Sequence, residues 1–218
     1  MALSPLSRRA GMLCITAAVL IILSQVMRLA GGGLLGPDWV TTPAYTLTYT
    51  VTLLGMAALL LALTAIYTRE SAALGRLGLI GYVTALLGTL MVAGDWWFEA
   101  FVVPIIATEA PEVLDLPPSG SLLAGAIATV GPYTVGWVLF GVAVLRARVT
   151  SRASALLLLA GGLVGPLALS TPYQIPLAIA IGWNGLSLER ESRRRHSPAA
   201  PDRQGDHERP SSRAAVQS

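Results

Sequence analysis

Six apolar stretches, separated by charged or turn-forming residues, leave this chain few ways to fold. The hydrocarbon core of a bilayer is ~30 Å thick and a helix rises ~1.5 Å per residue, so roughly 20 apolar residues, within about 17 to 25, cross it. Residues 11–31, 44–67, 77–101 and 121–145 meet that length. Two shorter stretches, 153–170 and 173–188, are joined by Thr171-Pro172, a connection too tight for a domain, and so form a hairpin that either crosses or re-enters. With 54% hydrophobic and 12% charged residues and a mean hydropathy of +0.64, the chain lies outside the balance of a soluble globular domain. The predicted class is all-α, a polytopic transmembrane helix bundle of six spans, with an N-terminal segment 1–10 and a tail 189–218.

The basic residues orient that bundle. All 15 are arginine. Arg8 and Arg9 precede the first span, Arg69 and Arg76 flank the second connection, and Arg146, Arg148 and Arg152 fill the fourth. Arg190 and the remaining tail arginines follow the last span, whereas the opposite connections carry Asp38, Glu109, Glu112 and Asp115. Arginine concentrates on the cytoplasmic side of a membrane protein, so both termini are predicted to be cytoplasmic, in the plasma membrane. A five-span reading that fuses the final hairpin would put the arginine-rich tail outside, against that rule. The first stretch exceeds the roughly 7 to 15 apolar residues of a signal-peptide core and no A-x-A cleavage site follows, so it reads as a retained span. The arginines abut apolar spans and do not alternate with aromatics, which excludes a nucleic-acid partner.

Several chemistries are excluded by residue type. Cys14 is the single cysteine and lies in an apolar run, so no disulfide or thiol pair forms within one chain. His196 and His207, the two histidines, fall in the polar tail, which removes haem ligation by an intramembrane histidine; the lack of lysine removes a retinal Schiff base. The tail is too poor in large apolar residues to offset its chain entropy and is expected to be disordered. Within it Arg193, Arg194 and Arg195 form a stop-transfer flank that also suits anionic lipid headgroups, at about 1 kcal/mol per charge. No nucleophile elbow, phosphate loop, H-E-x-x-H or Ser-Lys pair occurs, so no catalytic residue, metal site or cofactor is expected.

Charges inside spans are the default clue to function, because each costs at least ~2.5–3.5 kcal/mol to insert. Arg28 lies 18 residues beyond Ala10, at ~27 Å along its helix, and Asp95 lies at the same depth beyond Leu77. Glu99 follows Asp95 one turn on, on the same face. Arg28 is thus expected to pair with Asp95 or Glu99 across helices. Gln25, one turn from Arg28, the stripe Tyr45, Tyr49 and Thr52, and Tyr173 with Gln174 gather at that level and would line an outward-facing polar cluster. The same residues, with Trp39, Trp96 and Trp97, also suit an aromatic belt at the membrane surface.

Packing signals complete the reading. Gly161-x-x-x-Gly165 beside Gly162 invites close approach of a neighbouring helix. Gly131-Pro132, Gly165-Pro166 and Pro176 mark expected kinks, and Trp183 with Asn184 reads as an interface anchor. The runs IYTRESAALGRLGLIGYVTALLGT, FEAFVVPIIATEAPEVLD and GWVLFGVAVLRARV, over roughly Tyr67 to Val149, resemble a group of uncharacterised bacterial multi-pass membrane proteins. That resemblance implies the six-helix class and carries no activity or binding residues. Three functions stay open: a non-enzymatic accessory, sensory or scaffold protein; a small transporter or channel using Arg28, Asp95 and Glu99; and a lipid-active enzyme with Asp95 or Glu99 as acid or base.

Overall fold

The computed structural model describes residues 9–31, 39–117, 119–164 and 174–196, with side chains through Arg190. Among them the chain is helical and has no strand. The elements are α1 (Ala10–Ala30), α2 (Pro43–Phe101), α3 (Val103–Glu109), a 3-10 turn (Pro111–Val113), α4 (Gly120–Ala147), α5 (Arg152–Val164) and α6 (Ile175–His196). Three helical stretches are long and apolar enough to cross a membrane: Ala10–Ala30, Pro43–Glu109 and Gly120–Ala147. Arg152–Val164 is a shorter apolar helix, and the remainder of the fifth predicted span lies outside the described residues.

The 59-residue α2 covers the second and third predicted spans, and the connection expected between them is itself helical. The reversal is confined to one residue. Gly75 has φ +60° and ψ −157°, a backbone state essentially reserved for glycine, and nothing approaches the position where its Cβ would sit. The arms 43–74 and 76–101 therefore fold back on each other. Tyr67 stacks on Tyr82 with ring centroids 4.2 Å apart, and the Thr64 and Tyr82 hydroxyls lie 3.2 Å apart near the bend. At the far end Tyr49 stacks on Trp96 at 5.5 Å.

The helices close into a ring in which sequence neighbours pack antiparallel: α1 against the first arm of α2, the second arm against α4, then α5, α6 and back to α1. The tightest seam joins the second arm to α4. Side chains at Gly81 and Gly88 would run into the backbone of α4 at Phe140 and Tyr133, and one at Gly136 would run into the backbone at Ala85. The positions repeat every three or four residues on both helices, so the two backbones touch along about two turns. Across the seam the buried Trp137 donates its indole N–H to Thr89 Oγ1 at 3.1 Å. The α5–α6 pair is joined similarly: Gly161 sits under Leu177, and Ser154 Oγ donates across the pair to the Ala180 carbonyl at 3.2 Å, which also accepts Asn184 Nδ2 of its own helix at 3.1 Å. Gly165, the other half of the predicted glycine pair, lies outside the described residues.

Outward positions are apolar. Leu54, Leu61, Ile80, Leu87, Leu90 and Leu123 are exposed, while Thr48, Thr52 and Thr89 are buried. The inner hydroxyls of Thr48 and Thr52 satisfy themselves on the carbonyls of Ala44 and Thr48, one turn back in their own helix. A surface of this kind is lipid-compatible and would associate in water.

Two sequence expectations differ in detail. Pro132 lies inside a continuous α4, and Pro176 occupies the first turn of α6, where the missing N–H has no helical partner to lose. Helix α6 also runs past Leu188 to His196, so residues 189–196, expected in the tail, are helical, and the rest of the expected tail lies outside the described residues. Glu189 with Arg193 and Glu191 with Arg195 have the i, i+4 spacing that supports a solvated helix end.

Leucine at Gly136 is expected to lower stability in detergent by about 2–3 kcal/mol, since it must separate two backbones. Alanine at Gly94, which has open space beside it, should stay within about 0.5 kcal/mol of wild type. Alanine at Gly75 should cost about 1–3 kcal/mol through its backbone state alone. Thermal or denaturant unfolding of the purified protein measures all three.

Candidate functional site

The candidate site is built by local signals at four helix ends. Thr42 caps α2: its hydroxyl accepts the Tyr45 N–H at 3.3 Å and donates to the Trp39 carbonyl at 2.7 Å, with Pro43 at the first helical position. That cap fixes Trp39 beside the first turn of α2. Trp39 meets Tyr45 edge-on at 4.9 Å and Tyr49 at 6.1 Å, and Tyr45 meets Tyr49 at 4.4 Å. The fold of α2 at Gly75 then brings Trp96 against Tyr49.

Arg28 enters this aromatic group from the last turn of α1. It is only 6% exposed, with its guanidinium carbon 5.4 Å from the Tyr49 ring centroid and 5.3 Å from that of Trp96. Among the described residues no ion pair joins Arg28 to Asp95 or Glu99. The expected salt bridge is replaced by two cation–π contacts. Glu99 instead accepts the Tyr45 hydroxyl in a short hydrogen bond. A desolvated cation–π contact contributes up to ~2 kcal/mol, so two are of the same size as the ~2.5–3.5 kcal/mol insertion cost of the arginine.

One turn deeper, Gln25 and Gln174 are both buried and joined by an amide bond, Gln25 Nε2 donating to Gln174 Oε1 at 3.3 Å. This contact ties α1 to the start of α6 directly beneath the arginine. Thr52, which the sequence placed on the same stripe, spends its hydroxyl within its own helix. Tyr173 lies outside the described residues, and nothing is described of the side chains of Arg193, Arg194 and Arg195.

What sets the cluster apart is an excess of donors. Among the described residues five buried side-chain polar atoms have no hydrogen-bond partner, and three of them belong here: Arg28 Nε, Trp39 Nε1 and Trp96 Nε1. All three are N–H groups. An unmet buried donor costs about 1–3 kcal/mol, so these three N–H groups are the least satisfied polar atoms of the cluster among the described residues.

Trp39 and Trp96 were legible only as belt residues. Trp96 is 4% exposed and its neighbour Trp97 is 52% exposed, so adjacent tryptophans take opposite roles. The signal that separates them is periodicity: Trp96 falls on the buried stripe Ala85, Thr89, Ala93, Trp96, Ala100 and Val103, and Trp97 does not. The chain matches no protein-family model, no curated protein and no solved structure. The site is therefore read from its own geometry.

A double-mutant cycle separates the two ways of holding Arg28. Arg28→Met and Trp96→Leu should be non-additive in unfolding free energy by about 1 kcal/mol. Arg28→Met and Asp95→Asn should add within about 0.5 kcal/mol. Strong coupling in the second pair with none in the first would restore the ion pair.

Proposed function

We propose that the chain is a six-span protein of the plasma membrane, with both termini cytoplasmic, that serves as a non-enzymatic sensory or accessory component binding a small ligand at its outer face. The observation that carries this reading is the burial of Arg28 between Tyr49 and Trp96 with its Nε unpartnered. A structural arginine in lipid reaches for the interface or for a counter-charge. This one makes no ion pair among the described residues, and it is held by neighbours whose own N–H groups are also unmet.

The topology draws support from the antiparallel ring. Arg9, Arg69, Arg76, Arg146, Arg148, Arg152 and Arg190 all sit at the helix ends opposite Arg28, as the cytoplasmic preference of arginine requires. The break at Gly75 supplies the reversal that turns α2 into two crossings, and α5 and α6 supply the last hairpin. Binding is favoured because the buried N–H groups of Arg28, Trp39 and Trp96 lack acceptors, whereas Glu99 is already engaged by the Tyr45 hydroxyl.

Two experiments test this reading. In a Cys14→Ser background, a membrane-impermeant maleimide should label Val113→Cys on intact cells, and should label Ala72→Cys and Ser151→Cys only after permeabilisation. Labelling of Ala72→Cys from outside would overturn the orientation. Protein extracted in native nanodiscs should carry a small molecule, detectable by mass spectrometry, that Arg28→Met protein of equal thermal stability lacks; identical extracts would remove the binding role.

A further inference from the structure

We infer that the ligand is zwitterionic, carrying an anionic oxygen group beside an ammonium: an amino acid, or a phosphoethanolamine that is free or on a lipid. This rests on the binding role proposed above and specifies its chemistry.

Two sets of groups in the site point to the two halves of such a molecule. The first is donor-only. Arg28 Nε, Trp39 Nε1 and Trp96 Nε1 are buried without partners and belong to residues linked by ring and cation–π contacts of 4.9 to 6.1 Å through Tyr45 and Tyr49. Neither an arginine nor an indole N–H can accept, so only an acceptor completes them, and a carboxylate or phosphate oxygen is the strongest available.

The second set is anionic. Asp95 precedes Trp96 in sequence, Glu99 follows one turn later, and both are half-buried. Glu99 is held by the Tyr45 hydroxyl, whereas no hydrogen bond or ion pair of Asp95 is found among the described residues. With both carboxyls ionised, two carboxylates against one guanidinium leave the cluster one negative charge in excess. A simple anion would raise that to two, in a setting of weak screening. A simple cation would balance the charge and leave three donors unmet. A zwitterion meets the donors with its anionic end and Asp95 with its ammonium.

The carboxylates also lie at the more exposed side of the cluster, since Trp96 is buried and Asp95 is not. The anionic group thus enters first and the ammonium stays at the rim. The Gln25–Gln174 pair closes the floor beneath Arg28.

Intrinsic tryptophan fluorescence reports directly, because Trp39 and Trp96 belong to the site. Full-length protein in nanodiscs of phosphatidylcholine is titrated with glycine, phosphoethanolamine, inorganic phosphate and ethylamine, and separately reconstituted with phosphatidylethanolamine. The expected result is a saturable change with at least one zwitterion, bound at least tenfold more tightly than inorganic phosphate or ethylamine. A response to free glycine or phosphoethanolamine identifies a soluble ligand, and one confined to phosphatidylethanolamine identifies a lipid headgroup. Asp95→Asn should weaken the zwitterion about tenfold and leave phosphate unchanged. Arg28→Met should abolish binding, and Arg28→Lys, which keeps the charge and removes the Nε donor, should weaken it several-fold should the methionine variant fail to fold. Phosphate bound as tightly as phosphoethanolamine and indifferent to Asp95→Asn would overturn the zwitterion while leaving a ligand site. Ethylamine bound more tightly than either zwitterion would overturn it too. No saturable response to any probe would overturn both this inference and the binding role.

Discussion

Helices that meet inside a bilayer gain little from the hydrophobic effect, because lipid tails are as apolar as leucine; close packing and hydrogen bonds have to hold them together. In this protein that requirement is met most fully between the second arm of α2 and α4. Gly81, Gly88 and Gly136 remove the side chains that would keep the backbones apart, and Trp137 bonds to Thr89 across the resulting contact. The seam determines more than the pairing of two helices. It fixes the rotation of the arm 76–101, and with it which of Asp95, Trp96 and Trp97 turns inward. Slipping the arm by one residue would replace Trp96 with a carboxylate or with the lipid-facing Trp97, and the ring against Tyr49 and Arg28 would be lost.

The way Arg28 is accommodated follows from that geometry. An ion pair in a low-dielectric interior is strong, but it also desolvates a second charge, and the gain is often cancelled. Aromatic faces provide the same attraction without a second charge to bury. Tyr45 has meanwhile engaged Glu99, so the nearest carboxylate on that face already has a strong donor. A belt of tryptophan and tyrosine is the ordinary furnishing of a membrane surface. Here part of it, Trp39, Tyr45, Tyr49 and Trp96, has been drawn inward around a cation, and Trp97 keeps the ordinary role.

The sequence makes some of this plain and hides the rest for identifiable reasons. Helical class and apolar stretches follow from composition and length, and the co-localisation of Gln25, Arg28, Tyr45, Tyr49, Glu99 and Gln174 follows from counting residues along helices of fixed rise. Depth is readable because it depends on one number per helix. Azimuth is not, because it depends on which neighbour each face meets. Hence Arg28 was expected beside a carboxylate and lies over two rings, and Trp96 could not be told from Trp97 until the buried stripe was known. The Gly75 reversal escaped for another reason. Thr68, Arg69 and Glu70 look like a loop in a hydropathy pattern, yet they are competent helix residues, and a single glycine with positive φ suffices to turn the chain.

The placement of the site within the ring has a mechanical consequence. Each of its parts is carried by a different rod: Gln25 and Arg28 by α1, Tyr45 and Tyr49 by the first arm of α2, Trp96 and Glu99 by the second, and Gln174 by the start of α6. The second arm is in backbone contact with α4, and the two arms are joined at Gly75. Helix α1 is held differently. Toward its opposite end Gly11 and Cys14 pack closely on Gly185 and Glu189 of α6, and near the site Gln25 bonds to Gln174. Helix α1 also packs along the first arm of α2, with Ile21 against Gly55, and α6 packs on α5 through Gly161 and Ser154. Arg28 is therefore held where the contacts of α1 with α2 and of α1 with α6 converge, and its position depends on both.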